Sequence, residues 1–241
     1  PLDVDDKPGA VDLVPSGGNI SFSRVTFGYG TETVGGSQGV EKPPKVLNDF
    51  ELEIPAGQSI AIVGRTGSGK STIARLLMRF YNIQQGSISL DGQNISSVTQ
   101  ASLRSAVALV PDEPFLFSTS DHENIAYGRP GSTRESVEEA ARAAQAHDFI
   151  VGLENGYDTI IGERGYDLSG GQRQRISLAR LFLQDPAVVI LDDSTSSIDV
   201  EIEERIHGSL NKLLRERTTV VIAHRLSTIA LAERVVLVED G

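Results

Sequence analysis

The stretch SIAIVGRTGSGKSTIARLL, residues 59–77, joins a short apolar run, a glycine-rich loop and an amphipathic segment. Its centre, residues 64–71, fits the pattern G-x-x-x-x-G-K-[ST], in which backbone N–H groups surround phosphate oxygens. Apolar side chains then recur at the spacing of one helix face: Ile73, Leu76, Leu77 and Phe80. A strand, a glycine loop and a helix in this order predict the start of an α/β unit that binds phosphate.

The loop also contains the groups needed to hold a nucleoside triphosphate and its metal ion. Lys70 can bring a positive charge to the β- and γ-phosphates, and the Ser71 hydroxyl is a candidate Mg²⁺ ligand. The other residues of the predicted site are Gly64, Arg65, Thr66, Gly67, Ser68, Gly69 and Thr72. A glycine turn before a purely structural helix is the alternative. The strand before the loop and the helix after it favour nucleotide binding.

Four further apolar runs predict the other strands of a sheet: 105–110, 187–191, 218–223 and 234–239. They are nearly continuous in apolar residues, which predicts a parallel sheet covered on both faces. Residues 20–29 and 46–54 instead alternate apolar and polar side chains, and 86–92 resembles a hairpin strand. The early part of the chain is therefore predicted to form a separate set of half-buried strands.

Helices are predicted in the middle of the chain. The segment 132–150 opens with Ser132 and Glu135 at capping-box spacing. Its apolar face consists of Val137, Ala140, Ala141 and Ala144. A second helix is predicted to begin at Ser169, which has the same capping relation to Gln172.

Composition limits the possible function classes. The formal net charge is -11, and no basic stripe suggests a nucleic-acid partner. The chain has no cysteine, which excludes disulfides and a thiol nucleophile. No apolar run approaches the roughly 20 residues that span a bilayer. Residues 1–18 are polar and rich in Pro and Gly and predict a linker, and both ends suggest a domain cut from a longer protein.

Two more segments carry candidate chemistry. The run VVILD places Asp192 at the carboxyl end of a predicted strand, where a carboxylate can bind Mg²⁺. A turn-forming aspartate would be the simpler explanation if the phosphate loop were absent. In LSGGQRQR, residues 168–175, Ser169 caps a helix and two glycines leave N–H groups uncovered, which predicts a second anion site. An ordinary helix cap is the alternative there.

Together, the phosphate loop, LSGGQ and VVILDD resemble the nucleotide-binding domain of an ATP-binding cassette (ABC) transporter, from about residue 19 to the end. The resemblance implies that two such domains dimerise head to tail. Each ATP then lies between the phosphate loop of one subunit and the LSGGQ signature of the other. The cradle of Ser169, Gly170, Gly171 and Gln172 would thus serve the partner's nucleotide.

The resemblance implies further roles. Tyr29 matches the aromatic residue that stacks on adenine, and His224 matches the catalytic switch histidine that faces the γ-phosphate. Asp199 matches the acid of a loop that crosses the dimer interface. The segment IIGERG, 160–165, resembles the one that exporters use to contact their transmembrane domain. An exporter subunit at the cytoplasmic face of the cell membrane is therefore expected.

Two residues depart from the family's pattern. Asp193 stands where the family usually has the glutamate that positions the attacking water, and its side chain is one methylene shorter. Asp112 stands where the family usually has a glutamine that contacts Mg²⁺. Because the other motifs are intact, we expect a subunit whose own site hydrolyses ATP slowly while it completes its partner's site, as in heterodimeric exporters.

The fold class expected is thus α/β, a phosphate-loop NTPase with a RecA-like core, an antiparallel β-subdomain and an α-helical subdomain at about 114–182. The boundaries expected are a linker over 1–18 and one nucleotide-binding domain over 19–241. Its cofactors would be ATP and Mg²⁺. Its partners would be a second nucleotide-binding domain, in a homodimer or heterodimer, and an exporter's transmembrane domain. The alternatives are a fully active homodimeric ATPase and a module that closes on ATP without hydrolysis.

Overall fold

A computed structural model describes residues 4–30, 44–162, 165, 167–192, 198, 200–222 and 226–239. The strands are β1 (Ile20–Phe27), β2 (Leu47–Ile54), β3 (Ser59–Val63), β4 (Gln85–Leu90), β5 (Gln93–Asn94), β6 (Val107–Val110), β7 (Val188–Asp192), β8 (Thr218–Ile222) and β9 (Arg234–Leu237). The α-helices are α1 (Lys70–Leu77), α2 (Gln100–Ala106), α3 (Asp121–Ala126), α4 (Arg134–Ala143), α5 (His147–Val151), α6 (Gly170–Gln184), α7 (Val200–Leu214) and α8 (Leu226–Ile229). A short 3₁₀ helix covers Gly156–Asp158.

The early strands form the predicted antiparallel sheet, and their order in it is β2-β1-β4-β5. The pairing of β1 shifts register between Phe22 and Val25, where Arg24 has a φ of 46°. The extra residue of such a bulge returns the following side chains to the core face. This is why Phe22 and Val25, three residues apart, are both buried.

The second sheet is parallel throughout, in the order β6-β7-β8-β3-β9. Its central strands are buried on both faces, which confirms the expected α/β core. The edge strand β9 differs, because Val235 is 55% exposed and Leu237 is 61% exposed. The prediction that both faces are covered is therefore wrong for β9. The strand predicted to begin at residue 105 begins at Val107, since Ser105 and Ala106 complete α2.

Two helix boundaries also differ from the prediction. Helix α1 ends at Leu77 because Arg79 adopts a left-handed φ of 51°, so Phe80 lies beyond it and packs half-buried against the same core. Helix α4 is capped by Thr133, whose hydroxyl accepts from the Ser136 N–H. The predicted cap, Ser132, instead donates to the carbonyl oxygen of Arg129 at 2.7 Å.

Helices α3, α4 and α6 pack on one another beside the parallel sheet, around a core that includes Ile125, Val137 and Ile176. The predicted apolar face of α4 is confirmed, since Val137, Ala140, Ala141 and Ala144 are all buried. The domain boundaries at residue 18 and at 114–182 stay predictions. Within the described part of the chain, no helix is both long enough and apolar enough to cross a bilayer.

Residues 4–19 pack against the domain. The backbone N–H groups of four consecutive residues donate to the Asp91 carboxylate: Ser16, Gly17, Gly18 and Asn19. Val4 and Leu13 are buried. The described residues of the segment predicted as a linker are thus in contact with the domain through hydrogen bonds and apolar side chains.

Candidate functional site

The candidate residues converge on one edge of the parallel sheet. The glycine-rich loop follows β3, Asp112 follows β6, and Asp192 is the last residue of β7. Val110 pairs with Leu191 in parallel register, which brings Asp112 and Asp192 to the same edge. Because ligands of parallel α/β sheets bind outside the carboxyl ends of the strands, this edge is the expected site.

The glycine loop has a backbone that side chains would disrupt. Gly64 has a φ of 157°, and a Cβ there would lie 2.3 Å from the carbonyl oxygen of Val238. Gly69 has a φ of 98° and precedes α1 without a side-chain cap. The first turn of α1 contains no acidic residue. Its N–H groups therefore lack helical acceptors and are available to an anion.

Lys70 lies at the start of α1 and is only 5% exposed. Its Nζ donates to the carbonyl oxygens of Gly64 at 2.9 Å and Arg65 at 2.8 Å. These bonds hold a buried positive charge across the loop. Ser68 adds a buried hydroxyl oxygen with no hydrogen-bond partner among the described residues. A buried ammonium group and an unpaired hydroxyl beside free amides fit a polyphosphate.

A cavity of about 800 Å³ lies beside this loop. Its walls include Lys45, Val46, Val238 and the loop residues 64–68. Thr66 and Gly67 are exposed at its surface. The sequence pattern predicted only the loop part of this cavity. The other wall residues belong to distant chain segments that lie beside the loop only in the folded protein.

Tyr29 is held at the edge of the same region. Its hydroxyl is 2.9 Å from Thr72 Oγ1, and Arg75 donates to it at 3.4 Å. Its ring packs edge-to-face against Phe27 at 5.0 Å and Tyr81 at 5.2 Å. With 37% of Tyr29 exposed, part of the residue remains available to a ligand. The side chain of Thr72, predicted as a cofactor contact, is directed to Tyr29.

Sequence analysis did not single out Arg75 or Tyr81. Arg75 is a charged residue between the apolar positions of α1, as is usual on the solvent side of an amphipathic helix. Tyr81 reaches Tyr29 only because the chain turns at Arg79. Neither contact has a local sequence signal.

The three described metal candidates are Ser71 on α1, Asp112 and Asp192. Mg²⁺ is commonly held by one or two carboxylates and a substrate phosphate, with water completing its shell. A hydroxyl and two carboxylates at one sheet edge fit this donor set. Asp112 is exposed, and its backbone carbonyl accepts from Gln174 Nε2 at 3.0 Å. In the described part of the chain, no cluster of three or more acidic or histidine side chains forms a closed metal cage.

The signature segment forms the predicted helix start. The Ser169 hydroxyl accepts from the Gln172 N–H at 3.2 Å, and the Ser169 N–H donates to Gln172 Oε1 at 2.8 Å. This capping box confirms the spacing predicted from sequence. It also occupies the side chain of Gln172. The backbone N–H groups of Gly170 and Gly171 lie in the first turn and have no acceptor within the helix.

Several predicted residues lie outside the described part of the chain. They are Asp193, Asp199 and His224, together with Glu163 and Arg164 of the segment GERG. In the sequence, Asp193 directly follows β7, Asp199 directly precedes α7, and His224 follows β8. The pair Glu163 and Arg164 precedes α6. Their predicted roles stay predictions.

Together the two sheets, the phosphate loop and the helical layer define a phosphate-loop NTPase fold. Residues 47–196 match the family model described as "ABC transporter". The chain therefore belongs to the ABC transporter family. The match includes the phosphate loop, Asp112, the signature and Asp192.

The chain is similar to exporters over nearly all its length. It is 51% identical over 225 residues to an ATP-dependent lipid A-core flippase of Salmonella typhimurium, which covers 93% of this chain and 37% of the flippase. It is 46% identical over 239 residues to the protein of that name from Desulfotalea psychrophila, covering 99% and 40%. A bacterial Atm1-family ABC exporter with ATP bound superposes with a TM-score of 0.89, 42% identity, and 99% and 40% coverage. The chain thus spans about 40% of the length of these relatives.

Proposed function

We propose that the chain binds MgATP and acts as the nucleotide-binding domain of an exporter. The loop 64–69 surrounds the phosphates with backbone amides, and Lys70 neutralises the β- and γ-phosphates. Ser71 and Asp192 bind Mg²⁺, with Asp112 beside them. Tyr29 stacks on the adenine, and its contacts with Phe27 and Tyr81 keep its ring oriented.

We further propose that a second nucleotide-binding domain completes the site. The amides of Gly170 and Gly171 and the Ser169 hydroxyl bind the γ-phosphate held by the partner. Gln172 contributes by fixing the helix start, because its side chain accepts from the Ser169 N–H. Asp199 would lie at the interface between the two domains. The uncapped α1 terminus and the separate α6 terminus support this arrangement, since one triphosphate can be gripped from two sides.

Hydrolysis at this chain's own site is proposed to be slow. The attacking water would be positioned by Asp193, whose carboxylate reaches about one ångström less than a glutamate would. Misplacement on that scale can lower a rate by about 100-fold. His224 would face the γ-phosphate. Asp112, an exposed residue at the same sheet edge, offers an oxygen to the metal but adds negative charge near the triphosphate.

The transport role extends the same proposal. The relatives named above are a lipid A-core flippase and an Atm1-family exporter. We infer that ATP-driven pairing of two domains moves an attached transmembrane domain at the cytoplasmic face of the membrane. The transported substrate would be selected by that domain.

The observation that carries the proposal is the buried Lys70 ammonium held across the glycine loop. Lys70→Ala is expected to weaken ATP binding about 10- to 100-fold, as for the loss of a charge-assisted hydrogen bond. Equilibrium titration with a fluorescent ATP analogue measures this change. Lys212→Ala, an exposed lysine on α7, is the matched control and should leave the affinity unchanged. Equal ATP affinity of wild type and Lys70→Ala would contradict the proposal.

A further inference from the structure

Helix α6 carries a buried glutamine just after the signature. Gln174 is 1% exposed, and its Nε2 donates to the backbone carbonyl oxygen of Asp112 at 3.0 Å. The bond joins residues 62 positions apart in sequence. It therefore connects the helix that begins at Ser169 to the loop that carries a candidate metal ligand.

A second attachment lies further along the same helix. Arg180 donates from Nη1 to the carbonyl oxygen of Phe115 at 2.8 Å and from Nε to that of Asn124 at 2.7 Å. Asn124 in turn both donates to and accepts from the Phe117 backbone at 2.9 Å. At 1.5 Å per residue, the two attachment points on α6 are roughly 9 Å apart.

The loop from Asp112 to Phe117 is thus fastened to a 15-residue helix at two separate points. A single hydrogen bond would allow the loop to pivot about the helix. Two bonds along one stiff helix remove that freedom. A shift of the Asp112 backbone therefore has to move α6, or break the bond from Gln174.

We propose that Gln174 is a positioning residue that sets where the Asp112 loop stands relative to the signature helix. Metal binding at this chain's own nucleotide site is then linked to the geometry of the signature that the chain offers its partner. Such a linkage acts in both directions. The inference rests on the proposed function, since it needs Mg²⁺ at the site and a signature that binds nucleotide.

Gln174→Met tests this role, because methionine keeps an unbranched chain of similar size and lacks the N–H donor. Gln184→Met is the matched control: Gln184 lies on the same helix and donates to the Arg104 carbonyl at 2.9 Å, away from the site. Mg²⁺ is titrated into the ATP-bound chain with a fluorescent ATP analogue as reporter. Loss of a residue that orients a metal ligand typically weakens metal binding about 10- to 100-fold.

Gln174→Met is expected to weaken the apparent Mg²⁺ affinity by at least about tenfold. Its ATP affinity in EDTA should stay within about twofold of wild type, because Lys70 and the loop are intact. In wild type, Mg²⁺ should also slow amide hydrogen exchange at 170–173, and this effect should be lost in Gln174→Met. Gln184→Met should behave as wild type. Gln174→Leu, which stays apolar and also lacks the donor, should repeat the result if the methionine variant does not fold.

Unchanged Mg²⁺ affinity with a lowered melting temperature would overturn the inference and leave Gln174 as a purely structural residue. An equal loss in Gln184→Met would overturn it as well, since any weakening of α6 would then suffice. If wild type binds no ATP, or binds it without any response to Mg²⁺, the proposed function itself fails. Failure of the proposed function is distinguishable from failure of the inference about Gln174, because the first is seen in wild type and the second only in the variants.

Discussion

At the scale of single residues, Asp121 is the most unusual ionisable group in the described chain. It is 0% exposed, and neither carboxylate oxygen has a hydrogen-bond partner among the described residues. Burial raises the pKa of Asp121 from its ordinary value of 3.8 to about 7. The folded protein therefore holds this carboxyl protonated under conditions where the unfolded chain ionises it.

The sign of the resulting pH dependence follows from proton binding. Between about pH 4 and pH 7 the folded state binds more protons than the unfolded state, so stability falls as pH rises. Asp121→Asn should remove this loss, because the amide does not ionise. At 1.36 kcal/mol per pH unit, the gain at pH 8 has an upper limit of roughly 4 kcal/mol. Urea unfolding of both proteins at pH 5 and pH 8 measures it, and an equal pH dependence in the variant would contradict the assignment.

Asp193 is the residue on which the proposed slow hydrolysis depends. Asp193→Glu should raise ATP turnover, up to about 100-fold, because the longer side chain reaches the attacking water. Phosphate release by the chain, alone and with any partner subunit, measures the rate. Asp193→Asn is the matched control and should leave no more than the low wild-type rate. Ordinary ATPase turnover in wild type that Asp193→Asn does not change would refute the hypothesis of a weakened site.

At the scale of structural elements, residues 16–19 are held by one carboxylate, that of Asp91, while residues 4–14 make separate hydrogen bonds, such as that of the Leu13 N–H to Ser102 Oγ. Although burial acts to raise the pKa of Asp91, backbone hydrogen bonds from residues 16–19 outweigh it and lower the pKa. A lowered pKa means that this attachment is present at neutral pH and lost as the pH falls below the ordinary value near 3.8. Loss of the carboxylate would leave four backbone donors without their acceptor.

Asp91→Ala is therefore expected to loosen residues 16–19 while residues 4–14 and the two sheets stay folded. Amide hydrogen exchange at 16–19 should become faster by about tenfold or more, as for the loss of roughly 1.4 kcal/mol of local stability. Asp148→Ala, at an exposed position on α5, is the control and should leave exchange there unchanged. Protection of 16–19 equal to wild type in Asp91→Ala would show that the other contacts of the segment, such as the Leu13 N–H to Ser102 Oγ bond, hold these residues without the carboxylate.

The elements that sequence predicted well are those with strong local signals. The phosphate loop, the capping box at Ser169 and the buried strands of the parallel sheet each follow from neighbouring residues. The features that sequence missed depend on distant contacts. The bulge at Arg24 requires a partner strand, the end of α1 at Arg79 is stabilised by bonds to the segment near Asp6, and Asp91 gathers amides from 16–19. No periodicity within a short window can indicate such contacts.

The candidate site divides in the same way. Pattern and spacing predicted most of the candidate phosphate and metal residues, because those chemical groups are carried by short motifs. Tyr81, Arg75 and Gln174 were missed because they act through tertiary contacts with Tyr29 and Asp112. These supporting residues became visible only when the strands and α6 were assembled.

At the scale of the whole molecule, the two helix starts proposed to bind anions have different surroundings. One, at Lys70, follows a central strand of the parallel sheet, and the other, at Ser169, opens the long helix of the helical layer. A head-to-tail pair would bring one of each kind to every nucleotide. In such a pair, a defective phosphate loop in one subunit and a defective signature in the other subunit belong to the same composite site. The second composite site then keeps an intact loop and an intact signature.

Mixing two variants tests this arrangement most directly. Lys70→Ala disables the phosphate loop, and Gly171→Asp places a negative charge in the signature, where it repels the γ-phosphate. Light scattering should show that neither variant dimerises by itself when ATP is added, whereas their equimolar mixture forms dimers. Measurement of bound nucleotide should find one ATP in each mixed dimer. Wild type should hold two. A mixture that dimerises no better than its separate components, while wild type pairs in response to ATP, would show that the two helix starts do not share a nucleotide between subunits.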